Sequence, residues 1–330
     1  MRVLVTGGAG YIGSILTNRL LGEGHLVRVI DRLTYGGDSL LGAFGHPNFE
    51  FIKADIRDEK ALISSLRSID CVVHLAAIVG EPLCSKTPDE ARSVNLDATK
   101  ILVDLCKESG VHTFLFASTC SNYGARSDET PVNEDTTLEA ASLYAETKIS
   151  AEQYVLKART GGFHPCVMRF ATVYGLSPRM RFDLLVHEFI RDAVVGKKLA
   201  IYRPLFWRPL VHIRDVADGV ATIAQATTNR ISGKTYNVGG ENFRKIQIGK
   251  LISEFYPSVE IVEVEGKEDP RNYRVSFDRI SSVLGFRSKR DLRSGLSEIK
   301  RAIDGGVITN PLDPKYGNVY YNVEELTRKK

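Results

Sequence analysis

The 330-residue chain has little of what holds small secreted folds together. It carries five cysteines, at positions 71, 84, 106, 120 and 166, and no C-x-x-C pair. An odd count without paired spacing argues against a disulfide framework and a zinc site. Cys71, Cys106 and Cys166 lie in apolar contexts and read as small core residues. No apolar run is long enough to span a bilayer. Internal repeats and low-complexity stretches are missing as well. Charge of one sign is also scarce: Lys+Arg 44 against Asp+Glu 40 leaves +4. The basic clusters "GFRSKRDLR" and "TRKK" read as solvated faces, so neither nucleic acid nor a membrane is expected as a partner. The opening "MRVLVTGG" runs straight into a strand pattern with no leader-like segment, and a cytoplasmic protein is expected.

What is present is ordered alternation. Strand-like segments "RVLVT", "LVRVID", "FEFIKAD", "DCVVHLAA", "HTFLFAS" and "HPCVMRFATVYG" are separated by helical ones. The helical segments include Tyr11 to Leu21, "DEARSVNLDATKILVDLCKES" and "SLYAETKISAEQYVLKA". This order predicts right-handed βαβ units and a parallel sheet covered on both faces. The expected fold class is α/β, a Rossmann-like doubly wound parallel sheet with a smaller C-terminal substrate lobe. Residues 1–173 form the first part, part of 210–240 returns to it, and 174–330 form mainly the lobe and a tail. Further elements are expected as helices at "IRDVADGVATIAQA" and "IQIGKLISEFY" and strands at "KTYNVGG" and "EIVEVE". The last part, from "GGVITNPLDPKYGNVYYN" onward, is Gly/Pro/Asn-rich and reads as an extended tail.

Between the first strand and first helix lies "TGGAGYIGS". Gly8, Gly10 and Gly13 satisfy G-x-G-x-x-G, and Gly7 adds a second reading of the motif. One glycine makes the tight turn, one lets backbone approach a pyrophosphate, and one lets helix pack on strand. The helix start, with Tyr11 and Ile12, then offers free N–H groups and a positive dipole end to the anion. Asp31 ends the second strand at the spacing of a ribose-binding carboxylate, beside Arg32. A carboxylate there repels a 2′-phosphate, so NAD is expected rather than NADP.

With "TGGAGYIGS", "STCSNYG" and "YAETK" in this order, the chain resembles the extended short-chain dehydrogenase/reductases. More narrowly, it resembles the NAD-dependent nucleotide-sugar epimerases and dehydratases. The resemblance implies that Asp55 and Ile56 flank the adenine, that Leu75, Ala76 and Ala77 border the cofactor, and that Asn95 belongs to its site. It implies Tyr144 and Lys148 as the catalytic pair, four apart on one helix face. Tyr144 would take a proton from a sugar hydroxyl, and Lys148 would hold the nicotinamide ribose. Thr119 would bond the same sugar oxygen. The family's 4,6-dehydratases continue with Asp and Glu, an acid and a base. Here Cys120 and Ser121 stand instead, which points to epimerisation at carbon 4.

Cys120 keeps two readings open. It is either a small residue beside the nicotinamide or a proton-transferring thiol in a dehydratase or 5-position epimerase. Thr172, Arg179, Arg181, His187, Arg208 and Arg271 are implied in substrate binding, the arginines by pairing with a diphosphate. Trp207 reads equally as core or as nucleotide contact. His74 and His212 read as structural, and no metal is expected. The expected partner is a nucleotide-diphosphate sugar, with the chain as a homodimer. A reading of another class, a fold relative that binds NAD or RNA without turnover, has no need of Thr119, Tyr144 and Lys148 together.

Overall fold

A computed structural model describes residues 1–126, 129–196, 198–264 and 269–318. Its strands are β1 (Arg2–Thr6), β2 (Leu26–Asp31), β3 (Phe49–Lys53), β4 (Cys71–His74), β5 (Thr113–Thr119), β6 (His164–Phe170), β7 (Thr172–Tyr174), β8 (Lys198–Tyr202), β9 (Trp207–His212), β10 (Lys234–Val238), β11 (Glu241–Arg244) and β12 (Glu260–Val264). Seven of them form one sheet in the order β10-β6-β5-β4-β1-β2-β3. Every neighbouring pair in it is parallel. The chain reverses direction of winding between β1 and β4, which opens a crevice at the carboxyl ends of those strands.

Strand alternation explains why both faces of the sheet are buried. Val3 and Val5 of β1 pack with Leu16 and Leu20 of the helix Tyr11–Gly22 and with Val216 and Val220 of the helix Ile213–Ala224. Leu4 between them faces the other way, joining Phe114, Phe116, Leu102 and Val155. A second core lies around Val186, Leu199, Ile201, Ile248, Leu296 and Ile299. It is bounded by a three-stranded sheet, β11-β9-β7, and a two-stranded one, β12-β8.

Several expectations change in detail. The stretch 164–175 is not one strand. β6 ends at Phe170, and β7 pairs with β9 in the second sheet. The long helix expected over 89–109 contains a π-helical turn at Ser93–Asp97 before the regular helix Ala98–Glu108. From Gly305 to Asn318 the chain forms turns and one short 3₁₀ helix, Pro314–Tyr316, rather than an extended tail. The Tyr316 carbonyl accepts a bond from Phe182 N (2.6 Å), so this segment folds back on the body. Residues 319–330 of the expected tail lie outside the described residues, as does Glu265 of "EIVEVE". Among the described residues no helix is long and apolar enough to cross a membrane.

Asp215 ties the helix Ile213–Ala224 to the chain that follows β12. It is fully buried. Its Oδ2 accepts from Ser288 Oγ (2.6 Å), Lys289 N (3.1 Å) and Arg290 N (2.9 Å), and Arg290 Nη1 bonds Oδ1. Removing the carboxylate would leave the donors of four half-buried bonds without their acceptor, although Arg290 would keep Asp218. Asp215→Ala is expected to lower unfolding free energy by about 3 kcal/mol. Urea denaturation followed by circular dichroism measures this, and a loss below about 1 kcal/mol would contradict the assigned role.

Candidate active site

The crevice at the β1/β4 switch point is a cavity of about 490 Å³. One end is the glycine turn. Gly7 has φ +73°, and a Cβ on it would lie 2.8 Å from Ala76 N. A Cβ on Gly13 would lie 2.2 Å from Gly7 O. Both contacts are shorter than a side chain allows, so the turn closes only on glycine. Asp31 anchors the turn from β2: its Oδ2 accepts from Ala9 N (3.0 Å) and its Oδ1 from Leu33 N (2.8 Å). Burial raises its pKa against those bonds. Arg32 is turned onto Asp55 (3.2 Å) and Glu90 (2.9 Å). Its charge is therefore met by carboxylates, leaving nothing dedicated to a 2′-phosphate. Burial opposes ionisation of Asp55, yet bonds from Arg57 and the nearby Arg32 hold its pKa at about 2.

The cavity wall continues through Gly10, Tyr11, Ile12, Ile56, Leu75, Ala76 and Ala77. Tyr11 also donates its hydroxyl to Gly175 O (2.8 Å), tying the first helix to the chain after β7. Asn95 is the exception among the expected cofactor residues. It is buried and does not line the cavity. Its Oδ1 accepts from Ile78 N (2.8 Å) and its Nδ2 donates to Ile78 O (2.9 Å), so it holds the loop that does.

At the other end Thr119, Ser121, Tyr144, Lys148 and Thr172 line the same cavity. The helix Leu143–Lys157 starts at Ser142, whose Oγ accepts from Ala145 N (3.1 Å), an N-cap that places Tyr144 in the first turn. Lys148 Nζ donates to Ala117 O (2.8 Å), against the end of β5. Burial drives the Lys148 pKa down to about 8, opposed by Glu152. Burial also pushes the Tyr144 phenol well above its ordinary value, although Arg181 and Arg271 pull the other way.

Cys120 is not brought to the cavity. Thr119 and Ser121 face it, and the residue between them points into a core of Tyr123, Val132, Tyr273 and Val275. Its Sγ donates to Arg169 O (3.4 Å), and burial raises the thiol pKa far above its usual range. Such a thiol is neither a base nor a ready acid near neutral pH. This placement fits the space-filling reading, with the side chain away from the cavity rather than beside a cofactor.

The expected substrate residues divide. Arg179, Arg181, Arg208 and Arg271 line the cavity, and each already has protein partners. Arg181 forks onto Asp183 (3.0 and 2.8 Å). Arg179 bonds Asn318 Oδ1 (2.9 Å) and lies over the Tyr35 ring at 4.5 Å. Arg271 forks onto Asp269 (2.6 and 2.8 Å) and donates to Ser121 Oγ (3.0 Å). Arg208 bonds Asp269 Oδ2 (2.7 Å). His187 does not reach the cavity. Its Nδ1 donates to Arg181 O (2.7 Å) and its Nε2 accepts from Gly175 N (2.9 Å). Burial lowers its pKa to about 4, so it is a neutral brace for the 175–181 loop.

His74 bonds Thr6 and Thr99, and His212 bonds Glu298, as structural histidines do. Trp207 carries the guanidiniums of Arg244 and Arg274 over its ring, at 4.9 and 4.8 Å, outside the cavity lining. Among the described residues no cluster could hold a metal ion.

Asp269, Glu81 and Asn318 are among the cavity residues that the sequence did not single out. Asp269 joins Arg208 to Arg271 at a backbone φ of +43°, unusual for a residue with a side chain. Glu81 accepts from Tyr144 N (3.3 Å) and from Ser85 Oγ (2.6 Å), bracing the start of the Tyr144 helix. Asn318 comes from the folded-back C-terminal segment. Only Asp269 had a local cue, two residues before an arginine in "DPRN".

Comparison with known proteins follows the same outline. The sequence pattern of the NAD dependent epimerase/dehydratase family matches residues 3–239. An uncharacterised UDP-glucose epimerase of Bacillus subtilis (strain 168) is 30% identical over 311 residues, covering 90% of this chain and 96% of its own length. A dTDP-glucose 4,6-dehydratase of Streptomyces griseus is 32% identical over 308 residues, covering 89% and 92%. The crystal structure of a UDP-glucuronic acid 4-epimerase from Bacillus cereus, in complex with UDP-glucuronic acid and NAD, superposes with TM-score 0.82 at 28% identity, covering 91% of this chain and 99% of that one.

The placement of Cys120 has a direct consequence for turnover. Cys120→Ala is expected to keep kcat within about threefold of the unaltered protein and to cost roughly 1 kcal/mol of stability, the cavity left by one sulfur. Steady-state kinetics beside a thermal melt reads both, and loss of turnover in a folded variant would return the thiol to the chemistry.

Proposed function

The chain belongs to the NAD-dependent epimerase/dehydratase family, and from that we propose that it epimerises a nucleotide-activated sugar at carbon 4. NAD is its cofactor, and the glycine turn fits it, since added Cβ atoms on Gly7 and Gly13 would strike neighbouring backbone and prevent the tight turn that brings backbone N–H groups to a pyrophosphate. When bound, NAD supplies a reversible hydride acceptor. Gly7, Gly10 and Gly13 admit its pyrophosphate, Asp31 faces a ribose, and Asp55, Ile56 and Leu75 to Ala77 wall the adenine side. In this reading Tyr144 accepts the proton of the sugar 4-hydroxyl and later returns one to the 4-oxygen. Thr119 bonds that oxygen, and Lys148 keeps its ammonium near the phenol. Arg179, Arg181, Arg208 and Arg271 face the diphosphate and the sugar, while Thr172 bounds the sugar pocket.

The observation that carries this choice is the pair of positions after Thr119. Dehydration needs an acid for the leaving hydroxyl and a base for the proton on carbon 5. Cys120 is buried with its thiol on a backbone carbonyl, and Ser121 is a hydroxyl held by Arg271. Neither supplies a carboxyl group. Turning over a 4-keto sugar needs neither. A dehydratase or 5-position epimerase working through Cys120 is therefore disfavoured, despite the Streptomyces griseus relative. A non-catalytic binder is disfavoured because Thr119, Tyr144 and Lys148 all line one cavity.

We also propose a homodimer through the helices Ala98–Glu108 and Leu143–Lys157, which present half-buried Ile101, Leu105, Tyr154 and Leu156. A monomer in light scattering at micromolar concentration would contradict that.

The test is a panel of UDP-, dTDP-, GDP- and CDP-sugars incubated in deuterated water and read by NMR. The expected product is a 4-epimer with no solvent deuterium. Deuterium at carbon 5 or 6, or an accumulating keto sugar, would overturn the reading. Tyr144→Phe is expected to abolish turnover while NAD still copurifies; substantial residual rate would remove Tyr144 from its role.

A further inference from the structure

Tyr144, Lys148 and Glu152 recur every four residues on the helix Leu143–Lys157, so they share one face. Tyr144 and Lys148 line the cavity, but Glu152 does not: it is 2% exposed and lies behind the end of β5. Its carboxylate is fully engaged. Arg169 Nη2 donates to Oε2 (2.8 Å) and Arg169 Nε lies 3.2 and 3.1 Å from the two oxygens. Ser118 Oγ also bonds Oε1, and Asn122 Nδ2 donates to it (2.7 Å). Asn122 Nδ2 further bonds Ser118 Oγ (3.1 Å).

Ser118 and Asn122 bracket the segment 119–121, which carries the cavity-facing hydroxyls of Thr119 and Ser121. One buried carboxylate therefore grips that segment on both sides and fastens it to the helix bearing Tyr144. Lys148, bonded to Ala117 O, adds a second stitch one turn earlier. A buried ion pair is weak as a source of stability, because desolvation offsets the attraction, and apolar residues of similar volume often do as well. What this arrangement supplies instead is a fixed distance between two elements.

We propose that Glu152 is a positioning residue, which through Ser118 and Asn122 sets Thr119 against Tyr144 for proton removal from the sugar hydroxyl. It rests on the reading of the site given above. Misplacing a reacting group by about 1 Å costs on the order of a hundredfold in rate, so a loosened bracket is felt in kcat.

Glu152→Gln is a poor probe, since it strands the Arg169 guanidinium in the interior. Asn122→Ala and Ser118→Ala each loosen the bracket and leave the ion pair intact. The NAD-loaded chain and both variants are mixed with UDP-glucose and, separately, with UDP-glucuronic acid, and formation of the 4-epimer, which requires oxidation of the sugar and return of the hydride, is followed by NMR. With a sugar that the unaltered protein epimerises, each variant is expected to lose about tenfold or more in kcat. KM, NAD retention and melting temperature are expected to stay close to those of the unaltered protein. A smaller fall, or one matched by loss of NAD or of the folded state, overturns the positioning role alone. An unaltered protein that epimerises neither sugar overturns it together with the parent reading for these substrates.

Discussion

A guanidinium and a carboxylate, Arg169 and Glu152, neutralise each other in the space between the central sheet and the helix behind it. Either ion alone would be strongly unfavourable there. Together they let polar side chains enter a wall otherwise built of Phe114, Phe116, Val155 and Val167. Arg169 Nη1 also reaches Tyr123 Oη (3.0 Å), whose hydroxyl donates to Asn237 Oδ1 (2.8 Å) on β10. The pair thus connects β5, β6, β10 and the helix Leu143–Lys157. Cys120 is carried along, since its thiol bonds the backbone carbonyl of the same arginine. The residue that seemed most suggestive of unusual chemistry is part of the support on which ordinary chemistry would rest.

The substrate end of the cavity follows a different rule. Its arginines are oriented in advance by carboxylates and carbonyls of the chain itself. Around Asp269, however, the balance is unequal. Among the described residues, Arg208, Arg271 and Lys245 are all influenced by Asp269. Burial and then the neighbouring cations lower the Lys245 pKa to about 8, while Arg208 and Arg271 hold Asp269 well below the usual carboxylate range despite its burial. Cations held in place at this end of the cavity attract an anion and need little rearrangement to bind it. That is the electrostatic shape a diphosphate requires.

How much of this could be read from the residues depended on how local the cause was. The glycine turn, the parallel strands and the Tyr144–Lys148 spacing are written in contiguous segments, where period and punctuation suffice. The break between β6 and β7 was hidden because the strand changes partners, from β5 to β9, without changing its apolar character. The helix Leu292–Asp304 was masked by its own charges: "SKRDLR" looks like a solvated cluster, yet Leu292, Leu296 and Ile299 turn inward at helical spacing. Asn318 reaches the cavity only because the chain doubles back. Cys120 and His187 show the limit of motif reasoning. A motif fixes a residue's place along the chain, not the direction of its side chain. For Cys120 strand period gives no guide, because β5 ends at Thr119 and Cys120–Tyr123 form a 3₁₀ turn.

The pair at the centre remains unbalanced in the chain alone. Burial pushes the Tyr144 phenol up and the Lys148 ammonium down, so both lean towards their neutral forms. Lys148 sits 4.6 Å over the Phe116 ring and bonds a carbonyl, contacts that favour its charge but leave it half-protonated only near pH 8. With a pKa of about 8 Lys148 is still mostly an ammonium at pH 7, and that charge favours a phenolate on Tyr144, four residues away on the same helix face. Under the proposed function, NAD held in the cavity would add positive charge there, which would favour the phenolate of Tyr144. A protein built this way has no need of a separate base at Cys120 or Ser121 for a reaction confined to carbon 4.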